Sequence, residues 1–161
     1  IMIQALRNTD ERIKNNQSVT PGFLLAALLW PLLISKCSKN GEVNIRKFFR
    51  SMDGVLREQQ KLTAIPRKFN SYIKDIWVLQ LKLHSRIKSQ PYKTLRHPRF
   101  RAAYDFLLVR EQASGDKGGL GKWWTDFQKN DDSLRGSLIT RMNEKSDEES
   151  SKIFGFLEEL R

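Results

Sequence analysis

The sequence predicts an all-α protein, an irregular helical array of about five main helices plus short C-terminal helices. Apolar residues recur at three- and four-residue spacing along most of the chain, the period of a helix with one buried face. No stretch alternates apolar and polar residues over a strand's length. Prolines stand where helices would begin, at Pro21, Pro66 and Pro98, since the first helical position needs no N–H. No internal repeat suggests a solenoid.

From Ile1 to Asn16, Ile3, Leu6 and Ile13 share one helical face and are expected to be buried. Thr20 reads as an N-cap before Pro21. The helix from Pro21 to about Ser35 is apolar nearly all round and belongs in a core. Pro31 is expected to kink or end it. Asn40-Gly41 signals a turn. A third helix spans Val43 to Thr63, with Ile45, Phe48, Phe49, Met52, Leu56 and Leu62 on its apolar face and Gly54 as a weak point. Pro66 opens a fourth, to about Lys88, carrying Phe69, Tyr72, Ile73, Ile76, Leu79, Leu83 and Ile87. Gln90-Pro91 breaks it, and a short turn covers Tyr92 to Leu95. Pro98 opens a fifth helix to about Gln112, whose buried face is Phe100, Ala103, Tyr104, Leu107 and Leu108. A loop from Ala113 to Gly119 precedes a short amphipathic helix, Leu120 to Gln128. The organisation expected is a helical body over residues 1–129 and a mobile tail over 130–161 that ends in an amphipathic helix, Ile153 to Leu160.

The 161 residues carry a net charge of +11 and a pI near 10.0, with 39% hydrophobic residues. That length supports one domain or two small ones, and that charge favours a polyanionic partner. The charge is concentrated. Between Arg57 and Arg110 stand thirteen Lys or Arg against three acids, whereas the segment from Asn130 onward has five basic and eight acidic residues. The longest apolar run, Phe23 to Ile34, is too short to cross a bilayer, so no membrane association is expected. No signal peptide is expected either. The opening Ile1-Met2-Ile3 falls in mid-pattern, which suggests a piece of a longer protein.

Catalytic chemistry is hard to find. His84 and His97 have no metal-ligand spacing with each other or with carboxylates. His97 before Pro98 reads as a helix-entry or packing residue. Cys37, the single cysteine, has no neighbour in sequence that would lower its pKa and reads as a small buried residue of a reducing compartment. Gly118-Gly119-Leu120-Gly121-Lys122 lacks the spacer and the strand of a phosphate loop. Gly136-Ser137 with Asp147-Glu148-Glu149 lacks the apolar flanks of a strand-borne carboxylate site. No catalytic residue and no metal ligand are assigned. Among the aromatics, Trp77 and Tyr104 lie at core spacing. Trp123 and Trp124 are adjacent, so one of them is expected to be part-exposed and to stack on a base or a partner.

The motifs carry a resemblance. The blocks Leu6-Arg7-Asn8-Thr9-Asp10-Glu11-Arg12-Ile13, Thr20-Pro21-Gly22-Phe23-Leu24-Leu25-Ala26-Ala27-Leu28-Leu29-Trp30, Ile65-Pro66-Arg67-Lys68, Asp75-Ile76-Trp77-Val78-Leu79-Gln80, His97 to Arg110, and Lys122-Trp123-Trp124-Thr125-Asp126-Phe127-Gln128 follow in order. Together they resemble the C-terminal half of the bacterial poly(A) polymerases, the class related to bacterial tRNA CCA-adding enzymes. The resemblance implies an RNA-binding body without catalytic residues. In the family an N-terminal head supplies the carboxylates, Mg2+ and ATP, and adds AMP to RNA 3′ ends, which promotes RNA decay. It further implies a cytoplasmic protein with the head in cis and RNA as partner. Family tails are often Arg-rich, whereas this one is net acidic. Backbone contacts are expected from Arg67, Lys68, Lys74, Lys82, Arg86, Lys88, Lys93, Arg96, Arg99 and Arg101. Two other readings compete. One is a protein-interaction module for a DEAD-box helicase or RNA-decay factor, docking through Trp123-Trp124 and the Ile153-to-Leu160 helix. The other is the body of a CCA-adding enzyme.

Overall fold

The computed structural model describes residues 1–16, 18–39, 42–115 and 119–145. The fold is all-α. Among the described residues there are eight α-helices, one 3-10 turn and a single ribbon of two-residue strands. The chain divides into two compact units, Ile1–Trp77 and Val78–Arg161, with the division falling inside the fourth helix rather than near residue 129. Among the described residues no helix is long and apolar enough to cross a membrane.

The first unit is built on α2 (Pro21–Cys37), which packs along α3 (Ile45–Leu62). Ala26, Ala27, Leu29, Trp30, Leu33 and Cys37 are buried from α2, and Phe48, Met52, Val55 and Leu56 from α3. Trp30 meets Phe48 edge to face at 6.0 Å. Pro31 does not end α2, which runs on to Cys37. Pro31 is exposed and forgoes one helix hydrogen bond, while continuation puts Leu33 and Cys37 into the core. The Cys37 thiol donates to the Leu33 carbonyl at 3.1 Å. Burial pushes its pKa up, as befits an inert core residue. Strands β1 (Ser38–Lys39) and β2 (Glu42–Val43) pair antiparallel; the Asn40-Gly41 turn signal lies outside the described residues. Asn44 then caps α3, its Oδ1 accepting from the Lys47 N–H at 2.9 Å.

Helix α1 (Met2–Lys14) departs from expectation. Ala5 and Thr9 are buried, while Ile3 and Ile13 are 63% and 59% exposed and Met2 and Leu6 are exposed as well. Small side chains let α1 come close to α2, its neighbour. Periodicity located the apolar stripe correctly but not the face that packs.

Pro66 introduces a 3-10 turn, Arg67–Phe69, before α4 (Asn70–His84). In the first unit the Trp77 indole N–H donates to the Ala26 carbonyl at 3.0 Å, and Ile73, Ile76 and Trp77 are fully buried. Tyr72 lies over Gly22, where a Cβ would stand 2.7 Å from the ring.

In the second unit α4 ends at His84, short of the expected Lys88. Lys88 itself takes a left-handed backbone, with φ 50°, in the link that follows, a conformation no helix contains. After α5 (Gln90–Leu95) and α6 (Phe100–Ser114), α7 (Leu120–Lys129) and α8 (Asp132–Lys145) complete the unit. Gly115 closes α6 in the left-handed conformation, with φ 67°. The segment expected to be a mobile tail therefore begins as α8, and Ile139 joins the core of this unit. The remaining tail features, Asp147 to Glu149 and Ile153 to Leu160, lie outside the described residues.

Gly54 sits within α3 with nothing inside 4 Å of the position its Cβ would take. Gly54→Ala is expected to stabilise the protein by about 0.5–1 kcal/mol, seen as a higher urea midpoint at unchanged slope. Gly22→Ala should lower that midpoint, because Tyr72 must give way.

Candidate nucleic-acid interface

The second unit begins with the last turns of α4. Leu79 and Leu83 are buried there against Phe100, Ala103, Tyr104 and Leu107 of α6 and Leu120, Trp123, Trp124 and Phe127 of α7. The Trp124 indole N–H donates to the Leu83 carbonyl at 2.8 Å. That carbonyl belongs to the final turn of α4, where no intrahelical donor remains. Buried Gln80 ties α4 to α6, donating to the Ala103 carbonyl at 3.0 Å and accepting from Arg110 Nη1 at 3.0 Å. Tyr104 and Thr125 hydroxyls bond at 2.6 Å between α6 and α7.

The rings are arranged against one another. Trp123 stacks on Phe127 at 4.8 Å, Trp124 meets Phe100 at 5.3 Å, and Tyr92 meets Phe127 edge to face at 5.4 Å. Arginines lie over rings of this cluster, placed for cation–π attraction. The Arg86 guanidinium is 5.9 Å from the Trp123 ring, Arg101 is 5.5 Å from Tyr104 and Arg135 is 5.4 Å from Phe127. Arg135 also donates to the Phe127 and Gln128 carbonyls at the end of α7, at 2.8 and 3.2 Å.

The ten expected contact residues fall in both units. Arg67, Lys68 and Lys74 belong to the first. Arg67 and Lys68 are exposed on the 3-10 turn, Lys68 lying 5.3 Å over Phe69, while Lys74 is ion-paired with Asp53. The other seven are strung along one continuous stretch of the second unit. Lys82 is on α4, Arg86 and Lys88 are in the link, Lys93 is on α5, Arg96 and Arg99 flank the turn into α6, and Arg101 is in its first turn. His97 shapes that turn, its Nδ1 accepting from the Arg99 N–H at 3.1 Å. Among the described residues the side chains of Lys82, Lys93 and Arg96 have no hydrogen-bond or ion-pair partner.

The acids of this unit are engaged elsewhere. Asp105 pairs with Arg101 at 3.2 Å, Asp126 with Lys122 at 2.6 Å and Asp132 with Arg135 at 3.4 Å. Asp131 accepts from the Leu134 N–H at 3.0 Å at the start of α8. Glu111 accepts from the Gly121 N–H at 2.9 Å. The glycine-rich entry to α7 thus receives an internal carboxylate in the place where a phosphate loop would hold phosphate.

The expectation of a part-exposed tryptophan is not met. Trp123 is 8% exposed and Trp124 is fully buried. Adjacent positions on a helix diverge by about a quarter turn, and here the core wraps far enough to take both. Reading the sequence also missed the roles of Glu111, Arg135 and Gln80. Their partners lie 10, 8 and 23–30 residues away, beyond the reach of local pattern, although Glu111 ten residues before a helix start is visible in retrospect. Among the described residues no three or more His, Cys, Asp or Glu gather in a way that could hold a metal ion.

The chain is similar to known sequences. The model of a family described as "Polymerase A arginine-rich C-terminus" matches residues 40–153. Poly(A) polymerase I of Escherichia coli O157:H7 is 39% identical over 134 residues, which cover 80% of this chain and 29% of that protein. Poly(A) polymerase I of Salmonella typhi is 37% identical over 134 residues, with the same coverage. That of Haemophilus influenzae is 35% identical over 144 residues, 86% of this chain and 32% of its own length. The chain thus spans less than a third of the relatives it matches.

Trp124→Phe keeps a ring in the cluster but leaves the buried Leu83 carbonyl without its donor. The cost is expected to be about 1–3 kcal/mol, read from the urea midpoint.

Proposed function

The chain belongs to the family of the bacterial poly(A) polymerase C-terminus, and from that premise we propose that it is the RNA-binding body of such an enzyme. On this reading the seven cations between Lys82 and Arg101 hold the sugar–phosphate backbone of RNA. The 3′ end is thereby offered to a nucleotidyltransferase head elsewhere in the parent polypeptide. The observation that supports it most is the commitment of the unit's described acids to helix ends and other cations, together with Lys82, Lys93 and Arg96 standing without partners. Unneutralised cations on a rigid frame are what a phosphate-binding surface requires.

The adenylate chemistry, with Mg2+ and ATP, is assigned to the head. The described residues offer no ligand cluster for the metal, and no catalytic step is ascribed to them. The parent is proposed to act on RNA in the cytoplasm and to promote its decay. The helicase-docking reading loses one of its two supports, since Trp123 and Trp124 are both buried. The CCA-adding alternative is not favoured by the relatives, which are named as poly(A) polymerases.

The test is titration of the chain with single-stranded RNA at two or more salt concentrations. Affinity should fall steeply with salt, by about 0.7 in log K per log salt for each phosphate neutralised. The triple variant Lys82→Glu, Lys93→Glu, Arg96→Glu should fold normally, bind at least about tenfold more weakly and show a shallower slope. Weak binding with no salt dependence would sink the reading.

A further inference from the structure

We infer that the second unit holds RNA through its phosphates alone, blind to base identity and accepting paired and unpaired strands alike. The inference rests on the RNA-binding reading above and specifies what that surface recognises.

Preference for single strands comes mainly from aromatic faces on which unpaired bases stack. One stacked base changes affinity by about fivefold to over a hundredfold. In this unit the faces are spent. Phe100, Tyr104, Phe106, Trp123, Trp124 and Phe127 are all buried. Trp123 has Phe127 stacked at 4.8 Å and the Arg86 guanidinium 5.9 Å from its ring. Tyr104 has Phe100 stacked at 6.1 Å and Arg101 at 5.5 Å. Tyr92 keeps some exposed surface, but it packs edge to face against Phe127.

The arginines change the character of these positions. A guanidinium lying over a ring occupies space a base would need, and it turns its N–H edge toward whatever approaches. Those edges match phosphate oxygens in pairs. The aromatic cluster thus contributes to binding indirectly, as the platform that orients Arg86 and Arg101.

Base edges have little to meet either. Reading them takes amide or carboxylate groups set at the surface. Gln80, the amide nearest the cations in sequence on α4, is buried and locked between the Ala103 carbonyl and Arg110. Thr94 on α5 is buried. The described acids are committed as set out above. What remains outward is cationic. Lys93 and Arg96 are three residues apart, neighbours on one helical face, and Lys82 precedes them without a partner.

The experiment is a competition series with the full 161-residue chain at one fixed salt. The probes are equal-length single strands of A, of U and of C, an RNA duplex, and a single DNA strand. Affinities for the single strands are expected to agree within about threefold, with the duplex equal or tighter because its charge density is higher. Tyr92→Leu should leave every affinity unchanged, and Lys93→Gln should weaken all probes by one common factor. A tenfold preference for one base, or for single strand over duplex, overturns the inference. So does loss of single-strand binding alone in Tyr92→Leu. Failure to bind any probe overturns the RNA-binding reading itself, a result distinct from selective binding.

Discussion

The hydrogen bond from the Trp124 indole to the Leu83 carbonyl is the contact on which the second unit turns. A carbonyl in the last turn of a helix has no intrahelical donor. Leu83 is fully buried, so water cannot serve it. Left unpaired, it would cost as much as a lost buried hydrogen bond. Satisfying it from α7 fixes where α4 stops and brings the Trp124 ring against Phe100. The link that leaves α4 must then turn sharply, which the left-handed Lys88 accomplishes. Every cation from Arg86 to Arg101 takes its place from that turn.

A second constraint follows from charge. Like charges in one short stretch repel, and a protein would ordinarily intersperse acids among them. Here the acids serve helix ends and local pairs instead, at Glu111, Asp131, Asp105 and Asp126. Repulsion is offset by the aromatic core beneath, where Arg86 and Arg101 lie over rings and gain attraction from them. Packing and charge are therefore coupled in this unit, because the same rings that fill the core also orient the cations above it.

The helical class, the apolar α2 and the buried face of α6 were legible because each is a local pattern. Phe100, Ala103, Tyr104 and Leu107 are buried as their spacing requires. The basic stretch was legible as charge density. What stayed hidden depended on partners far away in sequence. The exposed stripe of α1 has the same period as a buried one, and only the small Ala5 and Thr9 against α2 decide between them. Pro31 and the early end of α4 were misjudged for a related reason, since core burial overrode a local breaker in one case and a left-handed link overrode local periodicity in the other. The adjacent tryptophans looked divided between core and solvent because their angular separation is fixed, while the breadth of the core around α7 is a tertiary property.

On the proposed reading, indifference to base has a mechanistic consequence for the parent enzyme. Each adenylate added changes the sequence of the RNA near its 3′ end. A surface that read bases would bind more or less tightly as the added tract replaced the original sequence beneath it. A surface that meets only phosphates presents the same binding free energy at every step, because the backbone repeats identically. Selection of adenine must then reside wholly where the nucleotide is chosen, and the body's part is to keep the growing strand within reach. The burial of Trp123 and Trp124 under Arg86 and their neighbours accords with that division, since it withdraws from the RNA the groups best suited to telling one base from another.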